Sequence, residues 1–131
     1  MQKLARGLLL TQGLMCLIYG VVVSLNLDAM AEYMGLGIGR GDGRAEIVTM
    51  YLGMSGALGI FMCYAAIRGK LVYEALLIML LSMTGITLGR LTGFALFDTG
   101  EYILSSLFYD VPVSLLTSFA FYSLFIRQDS K

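Results

Sequence analysis

The sequence predicts an all-α integral membrane protein, a four-helix bundle with a short interfacial helix and a Gly-rich loop between helices 1 and 2. Three observations predict it. The 131 residues are 58% hydrophobic and 14% charged, against about 45–50% and about 25% in soluble domains, and the mean hydropathy is +0.81. The apolar residues fall into four blocks, each near the roughly 20 residues that carry a helix across about 30 Å of hydrocarbon. The connections between blocks are too short for a second domain, so residues 1–131 form a single transmembrane domain.

The first block, Gly7 to Leu27, contains no charge over 21 residues. Lys3 and Arg6 precede it like the basic leader of a signal peptide, but a signal core is only about 7–15 residues long. Met15 also precedes Cys16, where a lipoprotein signal carries a small residue. A retained first helix over about residues 5–27 is expected.

Residues 28 to 45 form the longest linker. Asp28 is placed to cap a short amphipathic helix over Ala29 to Met34, lying at the membrane surface. Glycine then takes every second position at Gly35, Gly37, Gly39, Gly41 and Gly43, which predicts a flexible turn into the second helix. No strand precedes this run, so it is not a phosphate-cradling loop. Arg40-Gly41-Asp42 is a three-residue adhesion match that chance supplies readily. A lipid headgroup held by Arg40 and Arg44 is physically possible, and a plain linker is the simpler expectation.

The second helix is expected over about 45–68, its uncharged stretch running from Ile47 to Ile67. The third, over about 71–97, tolerates Glu74 near one edge and holds Arg90 inside. The fourth, over about 102–126, carries Asp110 followed closely by Pro112. Lys3, Arg6, Arg68, Lys70, Arg127 and Lys131 fall on one side of these helices. Arg40 and Arg44, with Arg90 nearby, fall on the other. The positive-inside rule then places both termini in the cytoplasm.

Nine basic residues balance nine acidic ones, so no net field points to nucleic acid. Histidine and tryptophan are absent, which excludes histidine-ligated haem, histidine-based zinc catalysis and Ser-His-Asp chemistry. Cys16 and Cys63 sit at different expected depths in apolar stretches and read as buried thiols rather than a disulfide. Met30/Met34, Met50/Met54 and Met79/Met83 have the i, i+4 spacing that Cu(I) thioether coordination uses. Their depths differ, and adaptable apolar filler explains them better. No metal or other cofactor is expected.

Small residues mark close approach of helices in lipid. Gly85, Gly89 and Gly93 step along the third helix by four residues. Gly53, Gly56 and Gly59 make the second helix small on more than one side, and Gly13 and Gly20 share a face of the first. These seams predict helix packing, either within one chain or between copies.

Charges inside the helices carry the most information. Arg90 is 20 residues past Lys70, Glu46 is 22 before Arg68 and Asp110 is 17 before Arg127. At 1.5 Å per residue they rise about 30, 33 and 26 Å to nearly one level. Ionisable groups at that depth are expected to pair. The Asp110 face of the fourth helix also carries Ser106, Ser114, Thr117 and Ser118. Two readings follow: a shallow polar pocket opening outward, or hydroxyls bonded to the preceding turn beside charges that snorkel to water.

Arg44-Ala45-Glu46 opening a glycine-rich second helix, Gly89-Arg90 late in the third and Asp98-Thr99-Gly100 before the fourth carry a resemblance that covers most of the chain. On these motifs the sequence resembles a family of small bacterial four-helix membrane proteins classed as a domain of unknown function. Asp110 departs from the glutamate expected there. The resemblance implies a fold and a bacterial inner membrane, with no activity, substrate or cofactor.

The expected function is therefore that of a non-enzymatic structural or interaction module, self-associating or a subunit of a larger membrane complex, with the lipid bilayer as its surroundings. The alternative is a small transporter or ligand-binding protein using a pocket around Glu46, Arg90 and Asp110. An enzyme would need a nucleophile with a base, or a bound metal, and the sequence offers neither constellation.

Overall fold

A computed structural model describes residues 2–36, 41–96 and 101–129, with side chains as far as Leu124. The described residues are helical apart from short turns, with no strand among them. The helices are α1 (Gln2–Leu25), α2 (Leu27–Tyr33), α3 (Gly41–Arg68), α4 (Val72–Leu96) and α5 (Glu101–Asp129). All but α2 are long and apolar enough to cross a membrane. Phe97, the Asp98-Thr99-Gly100 turn, Gly37, Gly39 and Arg40 lie outside the described residues.

Helix boundaries follow local chemistry. The short helix begins at Leu27 rather than after Asp28, with Asn26 at its N-terminal boundary. Asp28 makes no cap and instead pairs with Arg44 at the start of α3. The helix ends in a Schellman turn: Gly35 takes a φ of +70°, and the Leu36 N–H donates to the Ala31 carbonyl at 2.8 Å. Gly41 and Gly43 were expected in a flexible turn, yet both lie inside α3. Asp42 in the first turn and the Arg44–Asp28 pair favour the helix against the poor propensity of these glycines, about 1 kcal/mol each. At the other end of α3, Gly69 closes the helix with a φ of +66°. The Arg6 guanidinium donates to the free carbonyls of Ala66 at 2.6 Å and Ile67 at 2.9 Å. This satisfies groups that the end of a helix leaves unpaired.

One stretch of α3 departs from α geometry. Thr49–Met54 is a π-helical turn, and the N–H of Ser55 donates to the Met50 carbonyl five residues back. Such turns are rare and concentrate at functional sites.

The four long helices associate as two antiparallel pairs. α1 packs most extensively on α3, and α4 on α5, while contacts between the pairs are sparse. The α1–α3 pair is held by glycines. A Cβ placed on Gly13 would lie 2.8 Å from the Gly59 carbonyl oxygen, and one on Gly20 would lie 2.6 Å from that of Tyr51. By contrast, Gly53, Gly56, Gly85, Gly89 and Gly93 have nothing within 4 Å of a built Cβ. The expected seam along α4 is therefore not a contact within this chain. The reason is angular: α4 turns Ala75, Leu76, Met79 and Met83 to its neighbours, and Gly85 and Gly89 fall on the exposed face.

The continuous core lies toward the α1 N-terminus and the α3–α4 turn. Ala5, Leu9, Met62, Ala65, Leu76 and Met79 meet there, each 1% exposed or less. Small residues facing Leu and Met let the two pairs close at this end. The outer faces carry exposed large apolar side chains, including Phe108 at 76% and Leu115 at 66%, the surface a lipid-facing helix needs.

Candidate functional site

At the opposite end the two helix pairs do not close, and a cavity of about 360 Å³ remains between them. α1 contributes Gln12, Cys16 and Tyr19; α3 contributes Tyr51 and Ser55; α4 contributes Met83 and Arg90. α5 adds Tyr102, Ser106, Tyr109 and Asp110, and Tyr33 of α2 lies across the mouth. The π-helical turn carries Tyr51 into the wall, where its ring meets Tyr19 edge-on at 5.6 Å.

The charged centre is an ion pair between Arg90 Nη1 and Asp110 Oδ2. Their side chains are unequally covered, Arg90 at 26% and Asp110 at 5% exposure. Asp110 is therefore the more deeply buried partner, and both residues line the cavity. Arg90 Nη2 donates to the Tyr102 hydroxyl at 3.5 Å, and the guanidinium carbon stands 5.8 Å from that ring's centre, within cation–π range. One buried charge neutralises the other, as a low-dielectric site demands.

Deeper in the cavity, Tyr109 donates to Gln12 Oε1 at 2.7 Å. Gln12 Nε2 faces the Met83 sulfur at 3.7 Å, and a thioether is a weak acceptor. Gln12 is only 6% exposed. Below it, Thr87 and Ser114 share a hydrogen bond of 3.0 Å and Thr87 also donates to the Met83 carbonyl at 2.8 Å.

The short helix lies across the mouth. Tyr33 lies 3.4 Å from Ser105 through their hydroxyls and stacks edge-on against Tyr102 at 5.3 Å. Tyr51 donates to the Met34 sulfur at 3.5 Å. The exposed Arg44–Asp28 pair ties the same segment to the start of α3.

Of the residues singled out in the sequence, the structure brings Arg90, Asp110 and Ser106 together. Glu46 is exposed and forms no ion pair among the described residues. The π-helical turn between Glu46 and Ser55 interrupts the regular helical rise and rotation that the common level of Glu46 presumes. Ser114 reaches Thr87 beneath the cavity. Thr117 is fully buried and donates to the Val113 carbonyl at 2.7 Å, and Ser118 likewise bonds the preceding turn. The hydroxyl stripe is thus divided between wall, inter-helix bond and backbone.

Sequence reasoning missed Gln12 and the five tyrosines, Tyr19, Tyr33, Tyr51, Tyr102 and Tyr109. A signal was present for three of these six. Gln12 is the one amide within the apolar stretch from Gly7 to Val23. Tyr51 is 17 residues before Arg68 and Tyr109 is 18 before Arg127, which places both about 26–27 Å up, level with Asp110.

The site and its scaffold thus define a class, an all-helical protein with four membrane-spanning-type helices and an aromatic cavity built on an ion pair. The sequence matches no family model, no curated protein and no solved structure.

Proposed function

We propose that this is a multi-pass protein of a bacterial inner membrane, a four-helix bundle with both termini cytoplasmic, that binds a small molecule in the outward cavity. The observation that carries the reading is the cavity itself. Its volume of about 360 Å³ falls in the range of small-molecule sites, and it surrounds an ion pair that a purely structural junction has no need to leave partly open. A structural junction in lipid is expected to close on packed apolar or small side chains, as the other end of this molecule does.

Native mass spectrometry of the protein released from lipid nanodiscs tests the reading. A bound small molecule is expected on the wild type and is expected to be lost in Ser106→Trp, which fills the cavity, at an unchanged melting temperature. Wild-type protein that never carries or acquires such a species would overturn it.

A second reading, the structural or interaction module, is favoured by a different observation. Gly85 and Gly89 leave an unpacked strip on the exposed face of α4, where a second copy or another membrane subunit would pack closely. Its mark is a particle mass in mild detergent that falls on Gly89→Leu.

A further inference from the structure

Among the described residues, two cavity donors meet only weak or distant acceptors. Gln12 is buried, its oxygen accepts from Tyr109, and its Nε2 faces sulfur, that of Met83 at 3.7 Å and the nearby Cys16 thiol. Arg90 spends Nη1 on Asp110, and among the described residues its Nη2 reaches only the Tyr102 hydroxyl, at the long distance of 3.5 Å. A buried amide and a partly covered guanidinium among aromatic rings both gain from an oxygen acceptor.

Charge decides which kind of oxygen. Arg90 and Asp110 cancel, and among the described residues the cavity wall holds no other acidic or basic residue. A carboxylate ligand would compete with Asp110 for its buried partner, and an ammonium ligand would meet the guanidinium. A neutral acceptor avoids both costs. The remaining wall is made of tyrosine rings, which favour a flat partner by stacking and edge contact.

Spacing supplies the last constraint. Met83, beside Gln12, and Arg90 are seven residues apart on α4, about 10 Å along the helix axis. The two donors are therefore held from different levels of the cavity wall. Resting on the ligand-binding reading above, we infer that the cavity takes a neutral, flat, lipid-soluble ring compound carrying carbonyl oxygens at its two ends. One oxygen accepts from Gln12 Nε2 and the other from Arg90 Nη2, and the tyrosines enclose the ring.

Four probes of common shape test this in nanodiscs, with binding to empty nanodiscs subtracted: 2,6-diacetylnaphthalene, 2,6-diethylnaphthalene, naphthalene-2,6-dicarboxylate and 2,6-bis(aminomethyl)naphthalene. The diacetyl compound is expected to bind saturably at one site, about tenfold or more tighter than its diethyl analogue. Gln12→Leu is expected to erase most of that preference while leaving the diethyl compound's affinity in place. The wild-type comparison stands by itself even if Gln12→Leu does not fold. Equal affinity for the diacetyl and diethyl compounds would overturn the carbonyl assignment, and tighter binding of the dicarboxylate or the diamine would overturn neutrality. Saturable binding in any of these cases leaves the ligand-binding reading standing. Absence of saturable binding by all four overturns the proposed ligand, and the mass-spectrometric result then decides the broader reading separately.

Discussion

Gly13 of α1 and Gly59 of α3 face each other so closely that a methyl group added to either would stand 2.8 Å from the other's carbonyl oxygen. The contact is backbone against backbone, so neither side can yield by changing a rotamer. Cys63 on the same side tightens it, its Sγ lying 2.7 Å from a Cβ built on Gly13. Close approach of this kind, rather than hydrophobic drive, holds helices together in lipid.

Gly13→Ala should therefore push α1 and α3 apart and lower stability by about 1–3 kcal/mol, the usual range for overpacking. Gly89→Ala meets nothing within 4 Å and should leave the melting temperature in detergent unchanged or slightly higher. Equal losses from both substitutions would show that the glycine effect is not a matter of contact.

The ion pair at the cavity is expected to be coupled, and its neighbour in the sequence reading is not. Arg90→Met and Asp110→Asn should each destabilise by about 1–3 kcal/mol, as when a buried charge loses its partner. The double variant should lose less than the sum, because it strands no charge. Glu46→Gln should change stability by less than about 0.5 kcal/mol, in keeping with an exposed side chain. A large effect at Glu46, coupled to Arg90, would restore the three-residue cluster and contradict the present geometry.

Orientation can be measured directly. In a background with Cys16→Ala and Cys63→Ala, single cysteines at Asp42 and Lys70 lie near opposite ends of α3 and α4. The excess of basic residues at the Lys70 end predicts that an impermeant maleimide labels position 42, not 70, in sealed right-side-out vesicles. The reverse pattern would invert the topology and with it the side on which the cavity opens.

The four long helices were legible in the sequence because their signal is collective. Each rests on twenty or more residues, and no single misjudged position moves the total. Their limits were less legible: the short helix starts at Leu27 and α3 at Gly41, since end positions depend on a few groups such as Asn26, Gly35 and the Arg6 cap. The pairing of Arg90 with Asp110 was also readable, because depth follows from counting residues and both charges must be neutralised in a low-dielectric setting.

What the sequence by itself determined, then, is the set of helices, their spanning length and the level of the buried charges. Which faces meet was decided only by the tertiary structure. Gly13 and Gly59 touch while Gly85 and Gly89 do not, although all four have the same chemistry. The choice depends on the rotation of each helix about its axis, which every neighbour sets at once. The π-helical turn at Thr49–Met54 changes that rotation midway along α3, parting Glu46 from the pair and carrying Tyr51 into the wall. The cavity exists because the two helix pairs close on small residues at one end, while at the other each pair sets tyrosines between them, Tyr19 and Tyr51 from one and Tyr102 and Tyr109 from the other, a balance of packing that no single stretch of sequence contains.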